Sequence, residues 1–368
     1  MQQVNAAVAA GTWPVPPGPA LFSWGNNSGG VLGLGNTTYY SSPKQVGALL
    51  TWAKINSYQS STFAIKNDST LWSWGLNSSG QLGLGNTTNY SSPKQVGALT
   101  TWLSVSSGLE FAIAVKTNNT LWSWGNNSFG QLGLGNTTNY SSPKQIGLLT
   151  NWLSVTGGSY NSLAIKTDGT LWTWGAGFYG QLGLGNTTSY SSPKQIGSGT
   201  SWLNIAAGYC YAIATKTDGT IWTWGFNTQG QLGLGNVTTY SSPKQVGALT
   251  NWSKIGSGKR NALAVKTNGT LWEWGYNAYG QLGNSNTTNY SSPIQIGSLS
   301  TWDNADGGEA HSVAAKTDGT LWTWGRNDQG QLGLGNTTYY SSPKQVGALT
   351  TWSNFSAGGL YTLAIKTT

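Results

Sequence analysis

Leu71-Trp72-Ser73-Trp74-Gly75 is the stretch on which the reading of this chain turns. It returns as Leu121–Gly125, Leu171–Gly175, Leu271–Gly275 and Leu321–Gly325, with Ile221–Gly225 and Leu21-Phe22-Ser23-Trp24-Gly25 as close variants. Each copy lies 50 residues after the last, with no insertion or deletion. A fixed period of that size is the signature of a solenoid, a propeller or an array, and it overrides any domain count taken from the 368-residue length.

Outward from that stretch, each unit reads as four short strands. In one copy the first covers residues 102–106 and the second Phe111–Lys116. The third runs through 120–124, and a short outer strand at 143–146 begins with a proline, which an edge strand tolerates. Asp168-Gly169, Asp218-Gly219, Asn268-Gly269 and Asp318-Gly319 separate the second and third strands, and this pairing predicts type I′ hairpin turns.

With a period of two, Trp122 and Trp124 share one side of the third strand, and Leu121 and Ser123 share the other. Both sides are uncharged in every copy except at Glu273. A small sheet with two apolar faces must be covered on both. Stacking sheets face to face, large Trp against small Ala, Ser and Thr, does this, and closing the stack into a ring leaves no exposed end. Twenty of the 21 Trp fall at three repeat phases, as core residues would. The chain enters the repeat at a third strand (20–25) and leaves it after a second strand (363–366). The N-terminal strands therefore pair with the C-terminal strands in one shared blade. The expected fold is all-β: a seven-bladed β-propeller of four-stranded antiparallel blades over residues 20–368. It is preceded by an extended Pro-rich arm, residues 1–19, expected to dock on its own ring or on a neighbouring molecule.

Composition excludes several classes. One cysteine, Cys210, rules out an intrachain disulfide framework and a cysteine zinc site, and one histidine, His311, rules out a multi-histidine metal centre. No apolar run reaches the length of a membrane span, and the N-terminus lacks the pattern of an ordinary signal peptide. The net charge of +8 comes mostly from Lys at two repeat phases (Lys66 onward and Lys44 onward), spread around the series. That dispersion favours a solvated, solubilising role and makes nucleic acid an unfavoured partner.

The combined unit Asp318-Gly-Thr-Leu-Trp-Thr-Trp-Gly325, then Gly330-Gln-Leu-Gly-Leu-Gly335, then Ser-Pro-Lys-Gln-Val, resembles the regulator-of-chromosome-condensation repeat. The resemblance covers residues 20–368 and implies a seven-bladed propeller. The family's founding member is a nucleotide exchange factor for a small GTPase that also binds nucleosomes. Other members are ubiquitin-ligase parts, kinase regulators and bacterial or viral proteins, so the repeat implies a scaffold and not one activity. No residue of the GTPase contact transfers to this chain position by position.

No catalytic constellation stands out, and neither an enzyme nor a cofactor is expected. Asp303, Asp306 and Glu309 are close only within one divergent blade start, and His311 beside Glu309 has no nucleophile next to it. Gly-Gln-Leu-Gly-Leu-Gly lacks the following Lys-Ser/Thr and the helix that a phosphate loop needs.

Variation between copies says more. Two phases diverge. The first, after strand one, holds Tyr58, Glu110, Phe111, Tyr160, Tyr209, Tyr211, Lys259, Arg260, Glu309, His311 and Tyr361. The second, after Trp-Gly, holds Phe129, Phe178, Tyr179, Phe226, Tyr276, Tyr279 and Arg326. In an antiparallel blade the 1–2 and 3–4 connections leave on the same face, so these residues are expected to form one binding face. Asn36, Asn86, Asn136, Asn186, Asn236, Asn286 and Asn336 each begin an N-glycosylation triplet, with loop capping by the same side chains as the structural alternative. The sequence leads to a non-catalytic binding or assembly module. Its favoured setting is a surface particle or filament (a virion, fibre or extracellular assembly), held by a protein partner or by copies of itself. Exchange on a small GTPase and glycan binding are the alternatives, and a cytoplasmic location is the alternative setting.

Overall fold

The computed structural model describes residues 18–367. The arm expected over 1–19 therefore lies almost wholly outside the described residues. Seven four-stranded antiparallel sheets follow one another around a ring. Blade 3 is typical, with strands Trp102–Ser107, Phe111–Lys116, Leu121–Gly125 and Tyr140–Gln145, numbered one to four from the axis outward. Blade 2 starts at Trp52, and blades 4 to 7 start at Trp152, Trp202, Trp252 and Trp302. Blade 1 is the shared one. Ala20–Gly25 pairs with Tyr361–Lys366 in the register Leu21↔Ile365 and Trp24↔Thr362, closing the ring as the chain ends predict.

The turn between strands two and three differs from the expected type I′. Gly169, Gly219, Gly269 and Gly319 have φ near +75°, but the preceding Asp or Asn does not have positive φ. Gly169 N donates to Lys166 O, and Lys166 N donates to Thr170 O. This is a three-residue connection in which a tight turn is followed by one left-handed residue. Asp168 Oδ1 holds it by accepting from Thr170 N at 3.0 Å and from Thr170 Oγ1 at 2.6 Å. Asp is favoured for this carboxylate, not for a left-handed backbone.

Blade stacking also differs in one respect. In the register Ala112↔Trp124 and Ala114↔Trp122, the alanines share the tryptophan face. They leave room for the indoles, and the surface met on the preceding blade is large: Phe63, Ile65 and Leu71. Trp124 is fully buried, stands edge-on to Trp102 at 5.8 Å and donates Nε1–H to Gln81 O of the preceding blade at 2.9 Å. Trp74, Trp174, Trp224, Trp274 and Trp324 repeat this bond, and Trp24 does so to Gln331 O across the closure. Gly83, with φ +73°, lies under that indole, and a Cβ there would come within 2.7 Å of Trp124 Nε1. Aromatic edge contacts of this kind add about 0.5–1.5 kcal/mol each beyond the area they bury.

Half of the dispersed lysines are not simply solvated. Lys116 Nζ lies 3.4 Å from the Trp122 ring centroid and 4.8 Å from that of Trp102. Lys66, Lys166, Lys216, Lys266 and Lys316 repeat the arrangement. Burial lowers the pKa of Lys66, Lys116, Lys166 and Lys266. These side chains close the outer end of six blade interfaces with a cation over an indole pair, and the seventh copy has Phe22 in place of the second indole. The lysines from Lys44 onward are exposed on the outer wall.

Candidate functional site

The first strands line an axial channel of about 270 Å3. Strand-to-strand bonds belt it. Asn56 Oδ1 accepts from Ser107 N, Ser106 Oγ from Gly157 N, and Asp306 Oδ2 from Ala357 N. Burial lifts the Asp306 carboxyl to about 6. Six blades carry glycine where strand one ends, at Gly108 and its repeats, but blade 2 carries Tyr58. The Tyr58 hydroxyl reaches Ser159 Oγ, two blades away, at 2.8 Å, so its ring spans the channel mouth.

The 1–2 and 3–4 connections do emerge together, as expected. Asn126 N donates to Glu110 O, Phe226 N to Cys210 O and Tyr276 N to Arg260 O. The 2–3 turns meet the 4–1 connections on the opposite side, through Trp102 N to Ser69 O and Thr117 N to Thr101 O.

Most of the sequence-selected residues fall into contact on the first of these faces. Phe129 meets Tyr160 at 5.4 Å and Phe178 at 5.2 Å, and Tyr179 meets Phe226 at 5.0 Å. Tyr276 meets Tyr279, and the Arg326 guanidinium lies over Tyr279 at 5.4 Å. Lys259 Nζ pairs with Glu309 at 2.6 Å and lies 6.0 Å from the Tyr209 ring. Glu110 accepts from Ser79 Oγ and Asn126 Nδ2. Tyr339 joins this group through Tyr279 at 5.9 Å. Sequence reading missed it because it lies at the far end of the long 3–4 connection. The signal was present, since the same phase holds Tyr39, Asn89, Asn139, Ser189, Thr239 and Asn289 in other copies.

Four selected residues are not on the surface. Phe111, Tyr211, His311 and Tyr361 open the second strand, where the side chain turns into the next blade, and all four are buried. Tyr361 Oη donates to Ser61 O at 2.9 Å, and Tyr211 Oη reaches Gly258 O at 3.1 Å. His311 Nε2 lies 3.0 Å from Thr362 Oγ1, whose proton goes to Gln331 O. The imidazole therefore donates from Nε2. Burial pushes its pKa down to about 3, so it is neutral at ordinary pH. Glu309 points to Lys259, which removes the general-base pairing with His311. Asp306 faces the channel, and among the described residues no cluster of metal-binding side chains forms.

The seven triplet asparagines organise the 3–4 connection. Asn36 Oδ1 accepts from Thr38 N at 3.0 Å, its Nδ2 donates to Tyr40 Oη at 3.3 Å, and Asn27 Nδ2 donates to Asn36 O. Asn86, Asn136, Asn186, Asn236, Asn286 and Asn336 make the same Thr and Tyr bonds. This is the capping role weighed against glycosylation, which nothing in the comparisons below supports.

A family model of the RCC1-like domain matches residues 18–255, and one of the regulator of chromosome condensation (RCC1) repeat matches residues 268–315 and 318–365. A comparison with curated protein sequences found no match. Among solved structures, Prp20p from Saccharomyces cerevisiae, described with its binding to Gsp1p and histones, superposes with a TM-score of 0.87. The identity is 20%, covering 96% of this chain and 92% of that one. Human WBSCR16 gives 0.85 at 21% identity, covering 95% and 99%. Yeast RCC1 (Prp20) bound to Kap60 gives 0.86 at 19%, covering 96% and 89%. At these identities the structural likeness establishes the fold. The family matches overturn the surface-particle or filament reading, and no match supports the extracellular or virion setting attached to it. The features behind that reading have scaffold explanations: Asn and Thr build the 3–4 connections, and near-identical Trp and Gly hold the blade interfaces. Among the described residues, no helix is long and apolar enough to cross a membrane.

Proposed function

The chain belongs to the family of RCC1-like propellers, and from that premise we propose that it is a non-catalytic, protein-binding propeller that regulates a small GTPase through its diversified loop face. The observation carrying this reading is the match of RCC1-like and RCC1-repeat models to nearly the whole ring. Prp20p, a propeller of the same architecture, is described with its binding to Gsp1p and histones, which favours a protein partner. The loop face supplies suitable residue types, because Tyr and Arg are enriched among the residues that carry interface binding energy and Phe is enriched at interfaces. The domain division is part of the proposal: residues 20–368 act as the ring and 1–19 as an appended arm.

The test is release of a fluorescent GDP analogue from a panel of purified small GTPases, with and without the chain. Acceleration of at least one GTPase is expected, since a regulator must bind the nucleotide-free and nucleotide-bound states with different affinity. If the panel shows neither acceleration nor a complex on size-exclusion chromatography, the GTPase assignment fails.

A further inference from the structure

The loop face is chemically uneven around the ring. Its edge-on aromatic groups run along the arc of blades 3 to 7, where Phe129, Tyr160 and Phe178 form one group, Tyr179 and Phe226 the next, and Tyr276, Tyr279 and Tyr339 a third. Phe178 and Tyr179 are 53% and 43% exposed. After Trp-Gly, blades 1 and 2 carry Asn26, Ser28, Leu76, Ser78 and Ser79 and no aromatic, while the exposed Tyr39 of blade 1 stands apart at the far end of its 3–4 connection.

The charges on this face are mostly answered within the chain. Lys259 is held by Glu309, and Arg326 is held by Asp328 through two bonds of 2.7 and 2.6 Å. The Glu110 carboxylate is occupied by Ser79 and Asn126. Arg260 is the exception. It makes no salt bridge among the described residues, and its Nε is buried without an acceptor. Arg260 holds the phase of Glu110 and Tyr160, which contact the 3–4 connection of the preceding blade, through Ser79 and Phe129. By that register it lies at the Phe226–Gln229 connection, beside the Tyr179 and Phe226 group of the aromatic arc.

We propose that this arc docks a protein segment whose carboxylate seats on Arg260 and whose apolar side chains cover Phe178, Tyr179 and Phe226. The inference rests on the reading that this face binds protein, and it adds the chemistry of what is bound. A half-buried guanidinium without a counter-charge is costly to cover further unless the partner brings an acceptor. Exposed aromatics beside it supply the apolar anchor of an interface. A single nucleic-acid strand could also stack on aromatics, but it needs cations along its backbone. The neighbouring cations Lys259 and Arg326 are already neutralised.

The experiment is selection of random 12-residue phage-displayed peptides on the full chain and on the R260E and R260Q variants, with an oligouridylate as competitor. On the natural chain, selected peptides carry Asp or Glu next to Leu, Ile or Phe. Their synthetic versions bind about tenfold more weakly to R260Q, and R260E selects Lys or Arg instead. R260Q guards against misfolding of the charge-reversed protein, because it removes charge without adding any. The proposal is overturned if no peptides are selected, if those selected lack acidic enrichment or bind both variants unchanged, or if the oligonucleotide displaces them. A GTPase complex unaffected by R260E would sink this inference and leave the regulator reading standing. Acidic-peptide selection without any GTPase response would do the reverse.

Discussion

Glu273 is a carboxylic acid in a position that six other blades give to a hydroxyl, and replacing it with threonine should stabilise the protein in a pH-dependent way. Ser23, Ser73, Ser123, Thr223 and Thr323 donate to the carbonyls of Leu32, Leu82, Leu132, Leu232 and Leu332. Glu273 is fully buried, its Oε2 meets Ser312 Oγ only at 3.4 Å, and its Oε1 has no partner. Burial raises its pKa well above the ordinary glutamate value of 4.5. The unfolded chain releases this proton near that value and the folded chain keeps it. The wild type therefore loses stability as pH rises above 4.5, by about 1.4 kcal/mol per unit while the side chain stays protonated. Glu273→Thr has no such proton, and it restores a hydroxyl bond of about 1 kcal/mol. Urea unfolding at pH 5, 6 and 7 should give a variant more stable at every pH. The gap should widen by up to about 3 kcal/mol between pH 5 and 7. Parallel pH profiles, or a variant less stable at pH 7, would refute the assignment of a buried neutral acid.

Asp306 should behave in the same direction within a narrower window. Its carboxyl is lifted to about 6, so the penalty grows from the ordinary value of 3.8 to about 6 and then levels off. Asp306→Ser keeps an acceptor for Ala357 N, as Ser106 does for Gly157 N, and should gain up to about 2 kcal/mol over wild type between pH 4 and 7 in urea titrations. At the blade interface, Trp124→Phe leaves Gln81 O buried without a donor and should cost about 2–3 kcal/mol. Trp122→Phe copies the natural Phe22 and should cost about half as much. Both indoles donate, Trp124 to Gln81 O in a buried bond and Trp122 to Thr120 Oγ1 in a half-buried one, so equal urea midpoints would show that burial adds nothing to the Trp124 bond.

The ring was readable from the sequence because its determinants are periodic. A two-residue alternation of Trp in the third strand and a chain that starts and stops inside one blade leave few other solutions. The pairing of Ala20–Gly25 with Tyr361–Lys366 follows from that arithmetic alone. What escaped depends on which neighbour a side chain meets. Asp168 looked like half of a type I′ turn, because the sequence does not reveal that its carboxylate bonds to Thr170. Lys116 looked solvated, because its distance from Trp102 and Trp122 is set by strand register and not by local sequence. Tyr58, Phe111 and His311 belong to one variable phase, yet one spans the channel and two plug blade interfaces. A one-residue step at a strand end reverses the direction of the side chain. The surviving surface group is the part of the phase that lies in the loop itself.

The central claim is that a uniform scaffold carries its function on the 1–2 and 3–4 connections. Amide hydrogen exchange of the chain alone and saturated with a GTPase found by nucleotide release tests it most directly. Protection is expected at 108–110, 158–160, 208–210 and 258–260 and at 176–179 and 226–229, with no change at the 2–3 turns 67–70, 167–170 and 217–220. Protection confined to those turns, or to the outer strands that carry Lys44 and its repeats, would contradict the account.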